Sequence, residues 1–361
     1  GLTVEYGRSH GIVIEGGEES VVSASEIRRV AGTGVVVEGG KNHTVLGSDL
    51  HTLGWEGVKL EGGNRKTLVP AGHVVENCHV HHFGRVRGGE TAGIRINGVG
   101  NRARHNLVHH GPAHGIRPAG NEHVIEYNEV HSVVLETDDQ NGLDMYGLPT
   151  FRGNVVRYNY WHHIGSGRPW GQAGIRLDAG ISGTVIYGNV FYRTAGGQFG
   201  AVHIHGGKDN IVDNNVFAHC RRALGFNTWG QRRWQAFLSG GRRRRDLKET
   251  ARIDEPPYST RYPELAHLRE EAGLNHVWRN VVDNCGRFLD GDRGRQDVMD
   301  NYVTDRDPGF VDAQNGQFGL REDSPVFDRS AFRPIPFDEI GLYKSEHRAS
   351  WPVEHEVVKD R

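Results

Sequence analysis

The chain has 361 residues with 43 Lys+Arg against 45 Asp+Glu, a balance that excludes the strongly basic surface a nucleic-acid binder needs. Its 51 Gly carry no collagen-like period, and its three cysteines, Cys78, Cys220 and Cys285, supply neither a disulfide framework nor a C-x-x-C metal spacing. No apolar run is long enough to span a membrane as a helix.

The chain opens in the middle of a repeat at Gly1–Val4, so a preceding segment is expected, and a secreted or periplasmic setting is expected although no signal peptide is visible. Gly-Gly pairs at 16–17, 39–40 and 62–63 recur every 23 residues, each closing a short alternating stretch: GIVIEGG, GVVVEGG, GVKLEGG. The stretch returns as GIRING at Gly93, GIRPAG at Gly115, GLDMYG at Gly142, GIRLDAG at Gly174 and AVHIHGG at Ala201. A second ladder alternates with it: Ser25, Ser48, Cys78, Asn106, Asn128, Asn159, Asn189, Asn215, Asn280 and Asn301. Stacked inward Asn side chains bond one another and the backbone above and below. One such unit cannot bury its own apolar face, but a stack can. Propellers and helical repeats need longer units. The pattern therefore predicts an all-β fold, a right-handed parallel β-helix solenoid with an inserted, partly helical segment.

The coils of 1–229 carry the groove in this reading; 230–274, polar and Arg-rich, is an excursion; 275–361 holds the last coils and a tail expected to cap the open strand edges. The run Arg242–Arg245 reads as a solvated loop.

Residues of the glycine-bounded strands alternate inward and outward. Ile94, Ile96, Ile175 and Leu177 are expected inside. One outward row reads Val13, Val36, Lys59, Arg95, Arg117, Asp144, Arg176, His203; the next reads Glu15, Glu38, Glu61, Asn97, Ala119, Tyr146, Asp178, His205. Coils stack ~4.8 Å apart, so residues of one row are within mutual reach. From Arg95 onward the face changes from a Glu ladder to Arg, Asp, Tyr and His, which places the candidate site there, with the cluster Glu136–Asp139 at its rim.

Two carboxylates across a groove are what glycoside hydrolysis requires, one to protonate the leaving oxygen and one to attack or to activate water. Asp178 is one candidate and Asp138 or Asp139 the other, although an Asp pair also suits a turn, and Asp144 equally suits neutralising Arg117 and Arg176. His203 and His205 are candidates for orienting a carboxylate or binding hydroxyls, and Trp170 and Trp229 for stacking on sugar rings. His51, His81, His109, His131 and His162 recur at one place in successive coils, which reads as a structural row among the 22 His rather than a metal site. Neither EF-hand nor H-E-x-x-H spacing occurs.

The segments ETDDQNG (136–142), RGNVVRYNYWHHIG (152–165), GIRLDAGISGTVIYGNVFYR (174–193) and VHIHGGKDNIVDNNVF (202–217), together with EPPYSTRYPELA (255–266) and the tail, resemble the β-helix glycoside hydrolases of family 141 over Ala71 to Val353. That resemblance implies fucosidase- or xylanase-like action on plant-type polysaccharide or oligosaccharide without a cofactor, with the family's catalytic pair matching Asp139 (or Asp138) and Asp178. Where the family has LDDG, this chain has LDAG with Ala179. A polysaccharide lyase or epimerase, using Arg117 or Arg176 as base on an acidic glycan and often Ca²⁺, is the alternative reading. A non-catalytic glycan-binding β-helix is the third. None of the three involves nucleic acid or a membrane.

Overall fold

The computed structural model describes residues 1–291 and 294–358. The chain winds as a right-handed parallel β-helix whose coils contribute strands to three parallel sheets in turn. The first sheet runs from Thr3–Glu5 to Tyr302–Thr304, the second from Ile12–Glu15 to Leu289–Asp290, and the third from Val21–Ser23 to Asp297–Met299. Aliphatic residues pointing inward from all three build one continuous core, including Ile94, Ile96, Ile175 and Leu177 as expected.

The bend between the third and first sheets is a single residue in the left-handed region, immediately before each ladder residue: Tyr127 (φ 56°) before Asn128, Tyr158 (φ 55°) before Asn159 and Arg279 (φ 49°) before Asn280. A non-glycine side chain pays roughly 1–2 kcal/mol for that conformation. The ladder offsets it. Asn106, Asn128, Asn159, Asn189, Asn215 and Asn280 each donate their backbone N–H to the carboxamide oxygen one coil on, at 2.9–3.1 Å. The same oxygen also accepts from the preceding side-chain amide, for example Asn128 Nδ2 to Asn159 Oδ1 at 2.8 Å.

A second polar ladder, unmarked by any simple repeat, runs at the start of the third sheet. Backbone N–H groups of Ser20, His43 and Asn101 donate to Nδ1 of His43, His73 and His123, and those of His73 and His123 to Oδ1 of Asn101 and Asn154, at 3.0–3.2 Å. The residue types differ from coil to coil while the acceptor geometry is kept, which is why the sequence does not display it.

The segment after Trp229 is helical in part, with helices Gln231–Ser239 and Gly241–Arg245 and short turns Tyr258–Arg261 and Pro263–His267. It has its own apolar cluster of Trp229, Trp234, Leu238, Leu247, Tyr258 and Leu265. It is fastened to the coil by Arg65, which pairs with Asp246 at 2.9 Å and bonds Thr150 at 3.0 Å. The Arg242–Arg245 run is thus helical rather than a loop, and Arg243 is docked: its guanidinium lies 4.5 Å from the Phe237 ring and its Nε donates to the Gly147 carbonyl at 3.4 Å.

The tail corrects another expectation. It does not close the end of the solenoid but runs back along the outer face of the first sheet. Phe310, Phe318, Val326 and Phe332 cover outward-facing Tyr160, Val190, Val216 and Val281. Farther on, Tyr343 exchanges two bonds with the Asn77 side chain at 3.0 and 3.1 Å, and Arg348 pairs with Asp49. The cause is the run of apolar residues at outward positions of that sheet, which need cover more than the strand edges do.

Because Asn159 is fully buried and serves neighbours on both sides, Asn159→Ala orphans several backbone and amide groups at once. It is expected to cost about 3 kcal/mol in denaturant unfolding, and Asn301→Ala, at the partly exposed end of the ladder, less than half as much.

Candidate functional site

The second sheet widens where the outward rows change character. Its strands Ala92–Val99, His114–Asn121, Gln140–Tyr146 and Gly171–Asp178 run seven or eight residues, against four or five in the coils before them. Register sets Lys59 beside Arg95, Arg95 beside Arg117, Asp144 beside Arg176 and Arg176 beside His203. Tyr146 is level with Asp178, and both outward rows are as counted from the sequence.

Arg176 is the hub. Its guanidinium binds Asp139 through Nη1 and Asp178 through Nη2 (3.1 Å), and lies 4.4 Å from the Phe199 ring centroid. Its buried Nε has no partner among the described residues. Asp178 also accepts from His205 Nδ1 at 2.6 Å. Arg233, from the helical excursion, approaches His205 Nε2 at 3.3 Å, which leaves that nitrogen as acceptor and Nδ1–H as donor to Asp178. Burial pushes the Asp178 carboxyl up, but the His205 bond and the Arg176 charge outweigh it and hold the group below the ordinary carboxylate range.

Asp144 has the opposite balance. It is buried, and that burial lifts its carboxyl to about 6 against the pull of Arg117 and Arg176, with the Asp178 charge adding to the rise. Asn141 Nδ2 donates to it at 2.9 Å and Arg117 Nε stands 3.8 Å away. Arg117 is held in turn by Glu90, a rim residue that the row count passed over because it lies in a loop.

His203 is buried and stacks on Phe199 at 4.3 Å, and neither of its ring nitrogens has a partner among the described residues. Burial first, and then Arg176, lower its pKa to about 3, so it faces the groove as a neutral imidazole. Trp170 is 57% exposed at the rim. Trp170, Arg176, His203 and His205 line a cavity of about 360 Å³ with Phe199, Arg222, Asn227 and Asp290, a size in the small-molecule range, and Asp178 adjoins it through its bonds to Arg176 and His205. Asn227 continues the His205 row by one coil and was within reach of the same counting. Asp290 was not, because the excursion separates it in sequence from the coil it joins.

Two expected site residues have other work. The Asp138 carboxylate accepts from the backbone N–H of Asp139, Trp170 and Gly171, each at 3.0 Å, and from the Gln172 amide. These bonds lower its pKa in spite of burial, and Asp138 clamps the rim loop rather than facing the groove. Trp229 is 4% exposed within the excursion's core and meets His205 edge-on at 5.2 Å, so it buttresses the site and presents no free face. Asp139 reaches the groove through Arg176, in the left-handed conformation (φ 58°). Among the described residues, side-chain clusters with metal-binding spacing lie on the first sheet and not in this groove.

A family profile described as a right handed beta helix region matches residues 92–232, the stretch that holds the site. No curated protein matches by sequence. Among solved structures, the chain is similar to an alginate lyase of the PL6 family, AlyGC (13% identity, 98% of this chain and 55% of that one, TM-score 0.47). It is also similar to XylC, solved in complex with xylose (12%, 86% and 53%, 0.42), and to the A-module of the mannuronan C-5 epimerase AlgE6 of Azotobacter vinelandii (10%, 80% and 65%, 0.38). The chain spans 53–65% of the length of these three structures. The β-helix fold rests on the winding of the chain and on the family profile; with TM-scores of 0.38–0.47 these three likenesses carry no argument about family or activity.

The two tryptophans separate on mutation. Trp229→Ala is expected to cost about 3 kcal/mol of stability as a core truncation. Trp170→Ala is expected to leave the melting temperature within about a degree or two, because its ring is exposed at the rim and fills no core. Thermal unfolding of the two variants reads the difference.

Proposed function

We propose that this groove is the active site of a glycoside hydrolase acting on plant-type polysaccharide or oligosaccharide, fucosidase- or xylanase-like, in a secreted or periplasmic setting. The observation that carries the reading is a pair of carboxyl groups on adjacent coils whose surroundings drive them in opposite directions: Asp178 down, Asp144 up to about 6. Such a split is how one site holds a proton donor beside an ionised partner. The residue-by-residue resemblance to family 141 independently points to Asp178.

In this reading Asp144 protonates the glycosidic oxygen as it leaves, and its new negative charge is balanced by Arg117 and Arg176. Asp178, ionised and aimed by His205, activates the attacking water. The two residues are one coil and two positions apart, a separation of roughly 8 Å at the backbone. That favours the wide carboxyl spacing of an inverting enzyme, about 6.5–9.5 Å, over the about 5 Å of a retaining one. His203 offers a neutral donor and acceptor to sugar hydroxyls, and Trp170 a platform at the rim. Asp139 fixes Arg176 rather than exchanging protons.

Asp178→Asn and Asp144→Asn are each expected to lower kcat/KM on xylan or fucosylated pectin fragments by about 10³-fold or more, and Asp139→Asn by about tenfold. If Asp139→Asn were as damaging as Asp178→Asn while Asp144→Asn stayed active, the acid would be Asp139. Activity requires Asp144 protonated and Asp178 ionised. Hence kcat/KM should fall as pH rises through about 6, and fall again on acidification below the ordinary carboxylate range. The product anomer, read by NMR, is expected to be inverted.

The column Arg95, Arg117, Arg176 favours one second reading, a lyase or epimerase for an acidic glycan. Each of these guanidiniums already partners a carboxylate: Glu56, Glu90 and Asp139 respectively. A product that absorbs in the near-UV would establish the lyase; new reducing ends without that absorbance would establish the hydrolase.

A further inference from the structure

Two sets of histidine rings climb the solenoid. His43, His73 and His123 accept backbone N–H bonds through Nδ1 and belong to the fold. The other set stands on the outer face of the first sheet, where His51, His81, His109, His131 and His162 stack in succession at 4.7–5.0 Å between ring centroids. Here many ring nitrogens meet other ring nitrogens rather than the backbone.

We propose that His79, His81 and His109 form a binding site for one transition-metal dication of the zinc class. One ring nitrogen from each lies within 4.8 Å of the others, and Nε2 of His79 is 2.7 Å from Nε2 of His109. Two neutral imidazoles at that distance share a single proton; when the ring that carries it shifts that proton to its own Nδ1, both Nε2 lone pairs are free for an ion, with no net proton lost. The opposite edges of two of the three rings are already supported: Nδ1 of His81 bonds His82 at 2.7 Å, and Nδ1 of His109 bonds His110 at 2.5 Å. A metal-ligating histidine is ordinarily oriented through its other nitrogen in this way, with Nε2 left to the ion.

The spacings, 2.7 Å for one pair and within 4.8 Å for the trio, bracket what a tetrahedral ion needs, since N–metal bonds of about 2.0–2.1 Å put ligand nitrogens roughly 3.4 Å apart. Small ring rotations on the pleat supply the difference. Three imidazoles and no carboxylate select Zn²⁺, Cu²⁺ or Ni²⁺ over Ca²⁺ and Mg²⁺. Two of the rings are buried and one half-buried, so little side-chain freedom is lost on binding. Arg348, the nearby tail cation, is already neutralised by Asp49. This site lies on a different sheet from the groove and does not depend on the proposed hydrolase.

The test is titration of the full-length, tag-free chain with Zn²⁺ by calorimetry and with Co²⁺ by its visible absorption, with Ca²⁺ and Mg²⁺ as controls. A second trio, Glu129, His131 and His355, lies one coil on, and His355→Ala separates the two. Expected are saturable Zn²⁺ binding, a tetrahedral Co²⁺ spectrum, no response to Ca²⁺ or Mg²⁺, retention in His355→Ala and at least about 100-fold weaker binding in His81→Asn. His81 is half-buried on the surface, and circular dichroism checks that its variant is folded. Absence of saturable binding, full affinity in folded His81→Asn, or loss in His355→Ala overturns the proposal. If His81→Asn fails to fold, His109→Gln, which keeps a polar side chain at the position, takes its place with the same expectation.

Discussion

The stacked asparagine ladder is the constraint on which the rest of this molecule depends. A parallel sheet can slip by one residue at the cost of turning every side chain to the other face. Here each coil is fixed to the next by a backbone N–H and a side-chain amide converging on one buried carboxamide oxygen, as at Asn159. The left-handed bend before each of these residues sends the chain into the next sheet at the same point of every turn. Slippage would break the ladder at every level, so the outward rows inherit a register that they do not create.

The groove is a consequence of that register. Asp144, Arg176 and His203 are dispersed in sequence yet consecutive on one face. Once adjacent, they determine one another's charge. Arg176 gathers Asp139 and Asp178, while Asp144, one coil back and more deeply buried, has its carboxyl lifted to about 6. Two acids shifted in opposite directions thus face one another across adjacent coils. The loops add the walls: Asp138 clamps the rim that carries Trp170, and the excursion brings Arg233 to His205.

The outer face of the first sheet obeys the same register with different contents. Where outward residues are apolar, the tail lies down on them; where they are imidazoles, rings stack on rings. Histidine serves two ends in one solenoid. Inside, its Nδ1 substitutes for an asparagine oxygen as backbone acceptor; outside, its nitrogens are turned toward one another.

The Gly-Gly period, the Asn ladder and the alternation of inward Ile94, Ile96, Ile175 and Leu177 were enough by themselves to determine the β-helix and the two outward rows, because repetition at a fixed step converts sequence position into spatial row. The same counting put Asp178, Asp144, Arg176, His203 and His205 on one face, as the strand register does. Only the tertiary structure decided what surrounds each of them. Whether an Asp reaches the groove or clamps a loop depends on which N–H groups surround it, and that separated Asp138 from Asp139 although they are neighbours in the chain. Trp229 became a buttress because the excursion buries it, and Phe199, Arg222 and Asp290 joined the site from loops and from a coil beyond the excursion. Burial and proximity across long sequence separations set protonation, and neither has a period for the sequence to display.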